Sequence, residues 1–430
     1  MISFIMPSNL RPMKINSSVS IIMSIFLLLI SCEPYDEPDN KFPVGISHLR
    51  AYSSDQKTLV EWHTWSGFID FGLHAPPVKL TKLSMSTINE GSGFEEIYIG
   101  SIEGTDSFEI TGLNNNVPYY FKLETYGFDG RKIGTSRPVC TIPGNLPEEV
   151  FSYQISDSDG CTDFTNISWS PDGEELAYID FDNSGYKNIH ILNKNTGSVK
   201  VVTNHEAEAL SDVSWSPDGS ALAYMQSPSI TVAYLNYRIW LLDLVTLNTW
   251  PVSSGPIDSD PDWLSDTQII FARGTNGSPN IPELTLLDLV DGSETALTDD
   301  GVLYKNSPNV NSKTGKILYS THKSREYNSY IYVTIPSSGA GDLLINDDPW
   351  DMTDPVWSPD GSIICFTSDR TGQNEIWSMR IMDKVFVQVT RGSHIGSSRS
   401  IASVNNSGTL LAYIQKEADN SEFLKVLALE

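Results

Sequence analysis

Apolar residues along this chain alternate with polar ones in short runs, and Gly, Pro, Asn or Asp separates one run from the next. No stretch keeps the 3.6-residue spacing of a long helix, so the pattern predicts an all-β protein. Over residues 42–143 the strand-like segments are KTLVEWHTW, KLTKLSMST, EEIYIGSI, DSFEITGL and PYYFKLETY. Val60-Glu61-Trp62 alternates in and out with a large aromatic for the core. Tyr119, Phe121 and Leu123 follow at period two. Residues 144–150 (GNLPEEV) read as a linker.

The rest of the chain repeats. Trp169-Ser-Pro-Asp-Gly173 recurs as Trp215-Ser-Pro-Asp-Gly219 and Trp357-Ser-Pro-Asp-Gly361, with weaker copies at Trp263-Leu-Ser-Asp266, Val310-Asn-Ser-Lys-Thr-Gly315 and Val404-Asn-Asn-Ser-Gly408. The steps between Trp-equivalent positions are 46, 48, 47, 47 and 47. A strand follows each copy (ELAYI, ALAYM, QIIFA, KILYS, IICFT, LLAYI), then a second, and in five copies a third. In the turn, Pro presets the backbone, Asp caps it and Gly takes the positive-φ position. The sixth copy reaches Glu430 without its outer strand. Glu149–Ile155 (EVFSYQI) alternates like a strand and is expected to pair there, because an unpaired sheet edge invites aggregation.

Two family resemblances rest on these residues. Residues 42–143, with Trp62 and Tyr119, resemble a fibronectin type III domain. The resemblance implies a β-sandwich in which Trp62 is the core tryptophan and the Tyr119 hydroxyl bonds back to the backbone. The repeat with a period near 47 resembles the β-propeller of TolB, and it implies six blades over residues 144–430. It also resembles the propellers that precede the hydrolase domain in prolyl oligopeptidase relatives, and distantly those of oligogalacturonate lyases. No G-x-S-x-G, H-E-x-x-H, C-x-x-C or phosphate-binding loop accompanies the repeats, so no nucleophile or catalytic set is expected.

Residues 19–30 (VSIIMSIFLLLI) are an apolar run preceded by Arg11 and Lys14, the pattern of a signal peptide. Leu29-Ile30-Ser31-Cys32 resembles a bacterial lipobox, which implies that residues 1–31 are a leader and that Cys32 carries the lipid. Residues 32–41 are then an acidic tether with Glu33, Asp36, Glu37 and Asp39. That tract resembles the export signals of Bacteroidetes surface lipoproteins. The expectation is an outer-membrane lipoprotein of a Gram-negative cell, membrane-bound through its lipid only, with display on the outer face. Cys140, Cys161 and Cys365 remain, an odd number, and are expected as free thiols, with a Cys140–Cys161 pair as the alternative.

The net charge is −26, and loss of Arg11 and Lys14 with the leader takes it to −28. A surface this negative repels phosphates and excludes nucleic acid as a main partner. Fifteen of the acids fall in five of the segments between repeats: Asp157, Asp159 and Asp163; Glu206, Glu208 and Asp212; Asp258, Asp260 and Asp262; Asp299 and Asp300; Asp347, Asp348, Asp351 and Asp354. The sixth carries Arg391, His394 and Arg399 instead. In a propeller these segments converge on one mouth of the channel, so the expected binding face comprises Asp159, Asp163, His205, Glu206, Asp258, Asp260, Asp300, Asp348, Trp350, Asp354, His394 and Arg399. Clustered carboxylates attract a basic peptide or Ca²⁺, and Trp350 is placed to stack on a sugar or anchor a protein. Asp212, Asp260 and Asp354 each stand three residues before the Trp position, which points to a structural bond peculiar to the repeat.

These features predict a non-catalytic envelope protein that binds or scaffolds an envelope protein or peptide, with no cofactor beyond a Ca²⁺ in the funnel. The alternatives are a metal-dependent glycan-processing propeller, whose ligands the sequence does not specify, and a surface glycan binder.

Overall fold

The computed structural model describes residues 46–64, 68–69, 73–74, 78–88, 93–100, 104–145, 147–155, 166–182, 185–205, 209–227, 237–274, 281–323, 328–337, 341–345, 349–391 and 398–429. Every regular element among them is a strand. The leader, Cys32 and the acidic tether lie outside the described residues.

The described residues of the first unit form two facing antiparallel sheets and a short two-stranded one, Phe68–Ile69 with Leu73–His74. One of the facing pair has the order Ile46–Ser54, Lys57–Thr64, Gly104–Thr111; the other runs Val139–Thr141, Tyr119–Tyr126, Leu80–Ser86, Glu95–Gly100, with Lys132–Thr135 also pairing on Tyr119–Tyr126. Period-two alternation turns Val60 and Trp62 of the first sheet onto Leu83, Phe121 and Leu123 of the second, and all five are buried. The Asn114 N–H donates to the Tyr119 hydroxyl at 3.0 Å, tying the turn to the strand it feeds. Tyr119→Phe is expected to cost about 1 kcal/mol in denaturant unfolding, the usual net worth of one hydrogen bond.

Among the described residues of the second unit are six four-stranded antiparallel sheets. They begin at Ser168–Trp169, Ala209–Trp215, Asp258–Ser265, Leu303–Asn311, Met352–Trp357 and Ser398–Val404, the innermost strands. Each innermost strand packs on that of the next sheet, and the sixth packs on the first, so the sheets close a ring, the arrangement of a β-propeller. The sixth sheet takes its outer strand from Glu149–Gln154, which pairs antiparallel with Glu422–Ala428 as the alternation of EVFSYQI foretold. Chain from before the ring thus fills its last edge.

The turns behave as their residues dictate. The Ser170 hydroxyl donates to Asp172 at 2.6 Å and accepts the Glu175 N–H at 2.9 Å, with the same pattern at Ser216 and Ser358. Gly173, Gly219 and Gly361 hold φ of 72°, 79° and 72°. The tryptophans join neighbouring sheets: Trp169 Nε1 donates to the Ser403 carbonyl and Trp263 Nε1 to the Ser214 carbonyl, both at 3.1 Å.

Candidate functional site

The axial channel is built from bulges. Pairing between the first and second strands slips at Ser211/Ser214, Ser259/Asp262, Asn306/Asn309, Thr353/Val356 and Ser400/Ser403. A bulge bends the strand and re-aims a side chain. The left-handed residue in four of these bulges is Asp212, Asp260, Ser307 or Asp354, with φ of 56°, 53°, 49° and 50°. Asp is among the few non-glycine residues that accept this conformation, which accounts for its recurrence three positions before the Trp. These residues line a cavity of about 160 Å³ shared by all six sheets. They belong to inner strands or their bulges, whereas the sequence placed them in connecting loops.

Each carboxylate is surrounded by protein yet touches the lumen. The Ser211 hydroxyl donates to Asp212 at 2.7 Å, Ser259 to Asp260 at 3.2 Å, and Thr353 and Ser307 to Asp354 at 2.9 and 3.0 Å. Ser307 belongs to the sheet before that of Asp354, so the bond between them ties neighbouring sheets at the channel. Burial, then the neighbouring Asp260 charge, pushes Asp212 up to about 8. Burial also raises Asp260 and Asp354. Since the folded pKa of Asp212 exceeds its unfolded value, the folded state keeps a proton that the unfolded state releases. Stability therefore falls as pH rises from about 4 to about 8. Asp212→Asn keeps shape and backbone tolerance and removes that loss. Its stability relative to wild type should therefore rise as pH goes from about 5 to about 8 in urea unfolding.

At the loop mouth several of the described charged groups are held by one another. Asp258 is fully buried and accepts Arg273 Nε at 2.8 Å and Nη2 at 3.0 Å, and the same guanidinium reaches Glu294 at 2.7 Å. Asp300 accepts the Val302 and Leu303 N–H groups and Lys305 Nζ, at 2.8, 3.0 and 2.7 Å. Lys305, itself buried, also pairs with Glu283 at 2.9 Å. Arg399 is buried 3.6 Å from Glu375. Asp258 and Arg399 are thus buried framework ion pairs and not part of an exposed binding face, whereas Asp300 stays exposed while paired with Lys305. Among the described residues no three His, Cys, Asp or Glu side chains stand close enough to hold a metal ion.

Trp350 also differs from expectation. It is 1% exposed, its Nε1 donates to the Pro138 carbonyl at 3.0 Å, and its ring faces Tyr120 at 6.0 Å. The first unit covers it. That contact runs along the loop end of the fifth sheet, where Met352 pairs with Ser368, opposite the turn at Trp357. The Cys140 N–H donates to the Arg370 carbonyl at 2.6 Å, Ala51 N–H to Thr371 at 2.8 Å, and Arg137 pairs with Asp369. Arg391 donates to the carbonyls of Ile142 and Asn145, and Gln388 accepts from Thr141 and from the Ile142 N–H. The Arg370 guanidinium lies among Trp350, Phe366, Trp377 and Phe386, 4.1 Å from the last. Cys140 and Ile142 of the first unit belong to one apolar core with Trp350, Phe366 and Trp377.

His205 is half-buried, its N–H bonded to Asn188 and its ring 6.3 Å from Tyr224. Asp159, Asp163, Glu206, Asp348, His394 and Cys161 lie outside the described residues. Cys140 and Cys365 are buried, and burial pushes the Cys365 thiol up to about 12. Arg137, Asp369 and Gln388 were missed as interface residues; the only trace was the Asp369-Arg370 pair within FTSDRTGQNEIW.

No protein-family model matches the chain, and no curated protein does. Among solved structures it is similar to a putative TolB from Agrobacterium tumefaciens, at 16% identity and a TM-score of 0.47, over 62% of this chain and 90% of that one. It is similar to TolB from Acinetobacter baumannii at 13% identity and a TM-score of 0.40, over 88% and 78%. An oligogalacturonate lyase from Vibrio parahaemolyticus gives 11% and 0.43, over 66% and 99%. These are distant likenesses of β-propeller fold and say nothing of what this chain binds.

Proposed function

We propose that the chain is a lipid-anchored cell-envelope protein that binds or scaffolds a protein or peptide partner, without catalysis, through the channel of its propeller. In this reading the first unit is a fibronectin type III domain and the second a six-bladed TolB-like propeller. The Trp62 core and the Tyr119 corner support the first assignment, and the six four-stranded sheets the second. Anchoring at Cys32 and display at the outer membrane rest on the leader pattern.

One observation carries the non-catalytic reading. Among the described residues, charged side chains at the loop mouth are committed to one another: Arg273 with Asp258 and Glu294, Lys305 with Glu283 and Asp300, Arg399 with Glu375. A general acid or base needs a group whose proton can move to a substrate, and these are locked as paired charges. The test is cross-linking of the native lipoprotein in its own envelope, followed by mass spectrometry. One reproducible partner, lost when the propeller is deleted, is the expected result. Turnover of a glycan or peptide substrate by the purified chain would overturn the reading.

A further inference from the structure

The channel has a second mouth, at the Ser-Pro-Asp-Gly turns, and the first unit leaves it open. It is a funnel of about 450 Å³ walled by the four turn tryptophans and by Pro171, Pro217 and Pro359. Asp172, Asp218, Asp266 and Asp360 are exposed in its turns, with Lys313 as the one cation at an equivalent position. The Ser170 hydroxyl holds Asp172 below the usual carboxylate range, the Ser220 N–H does so for Asp218, and the Ser358 hydroxyl brings Asp360 to about 2. These three stay ionised.

The tryptophans add an independent sign. Trp169 and Trp263 donate their indole N–H to the preceding sheet, but Trp215 and Trp357 do not. They are 9% and 7% exposed, and their Nε1 atoms have no hydrogen-bond partner. Both line the funnel, and Trp215 Nε1 lies 3.9 Å from where a β-carbon on Gly219 would sit, beside the Pro171 ring. A buried donor without an acceptor costs free energy that a ligand carbonyl can recover. Around this mouth, Val245, Val290 and Met382 protrude at 86%, 78% and 86% exposure. Bonds from Leu244 to Ser220, Leu289 to Thr267 and Ile381 to Ser362 hold these hairpin tips on the turn face.

We propose that the turn mouth binds an extended, positively charged peptide segment of a partner protein. Its backbone carbonyls enter between the turns and accept from the indole N–H groups of Trp215 and Trp357, which the turns cover in the free chain. The rim carboxylates pair with its Lys or Arg side chains, and the apolar tips meet the body of the partner. This rests on the reading of the chain as a binding protein and names the mouth and the partner's chemistry.

The test uses the full chain in non-ionic detergent micelles and a fluorescein-labelled, end-blocked peptide of alternating Lys and Gly. A Glu-Gly peptide is the control, and anisotropy is read. The Lys peptide should saturate and the Glu peptide should not. Raising NaCl from about 50 to about 500 mM should weaken binding roughly tenfold. Lys313→Glu, at an exposed site, should tighten it about threefold. Trp357→Phe, which keeps the ring, should loosen it about fivefold. Equal binding of both peptides, or an unchanged Kd in both variants with an unchanged melting curve, overturns the proposal. A cross-linked envelope partner that the Lys peptide neither displaces nor mimics also overturns it, while leaving the binding function standing.

Discussion

Gly372→Val should split the thermal unfolding of this protein into two transitions, one for each unit. Gly372 holds φ of 87°, and a β-carbon there would lie 2.0 Å from the Leu49 carbonyl oxygen and 3.1 Å from the Arg50 Cα. Both atoms are backbone of a strand already paired to Lys57–Thr64, so neither can step aside without breaking that pairing. The left-handed conformation alone costs a β-branched residue on the order of 2 kcal/mol. Relief of the clash then requires parting the adjacent bonds, Ala51 to Thr371 at 2.8 Å and Cys140 to Arg370 at 2.6 Å, at about 1 kcal/mol each. Once the seam opens, Trp350 and the Arg370 guanidinium lose their cover, and the total should exceed about 4 kcal/mol. Calorimetry with acrylamide quenching of tryptophan emission checks this. One unchanged transition with Trp350 still shielded would show that the seam tolerates a side chain.

Arg273→Met should destabilise the ring by about 3–5 kcal/mol, because it leaves the Asp258 charge buried and alone. Asp258 has no solvent exposure, and three donors hold it: Arg273 Nε, Arg273 Nη2 and the Gly255 N–H at 3.1 Å. Without the guanidinium the carboxyl can stay buried only by taking up a proton. The variant should therefore lose stability more steeply than wild type as pH rises above the ordinary carboxylate range, since wild type has only its raised channel aspartates to contribute such a loss among the acids described above. Adding Asp258→Asn should return most of the loss, since the amide needs no counter-charge, and the double-mutant cycle isolates the pair. Glu294, which the same guanidinium helps bring down to about 2, should titrate higher in the single variant. Equal losses in the single and double variants would show that lost packing of the Arg273 stem, and not the charge, is responsible.

Strand content was readable where a strand carries its own alternation or its own turn. Lys57–Thr64 and Tyr119–Tyr126 show clean alternation of buried and partly exposed residues. Ile46–Ser54 was not recognised, because ISHLRAYSS breaks its alternation at the bulge between Ile46 and His48. Val139–Thr141 is buried throughout, so its side chains have no period to show. In the channel, the recurrence of Asp212, Asp260 and Asp354 was visible, and their left-handed backbone supplies the cause. Asp258 and Trp350 differ from expectation for one reason, since composition shows that a side chain is charged or aromatic but not which partner takes it.

Turn chemistry acts over a few residues, so the repeat, the register of each hairpin and the strand that fills the last sheet were all written locally in the chain. The seam between the units was not. Arg137 meets Asp369 across 232 positions and Trp350 meets Pro138 across 212, and no local pattern marks such a pair. Burial and charge pairing are properties of the assembled surfaces. Assembly closes part of the acidic loop mouth with ion pairs and a second unit, and it leaves the turn mouth, with its ionised aspartates and two unpaired indoles, facing outward.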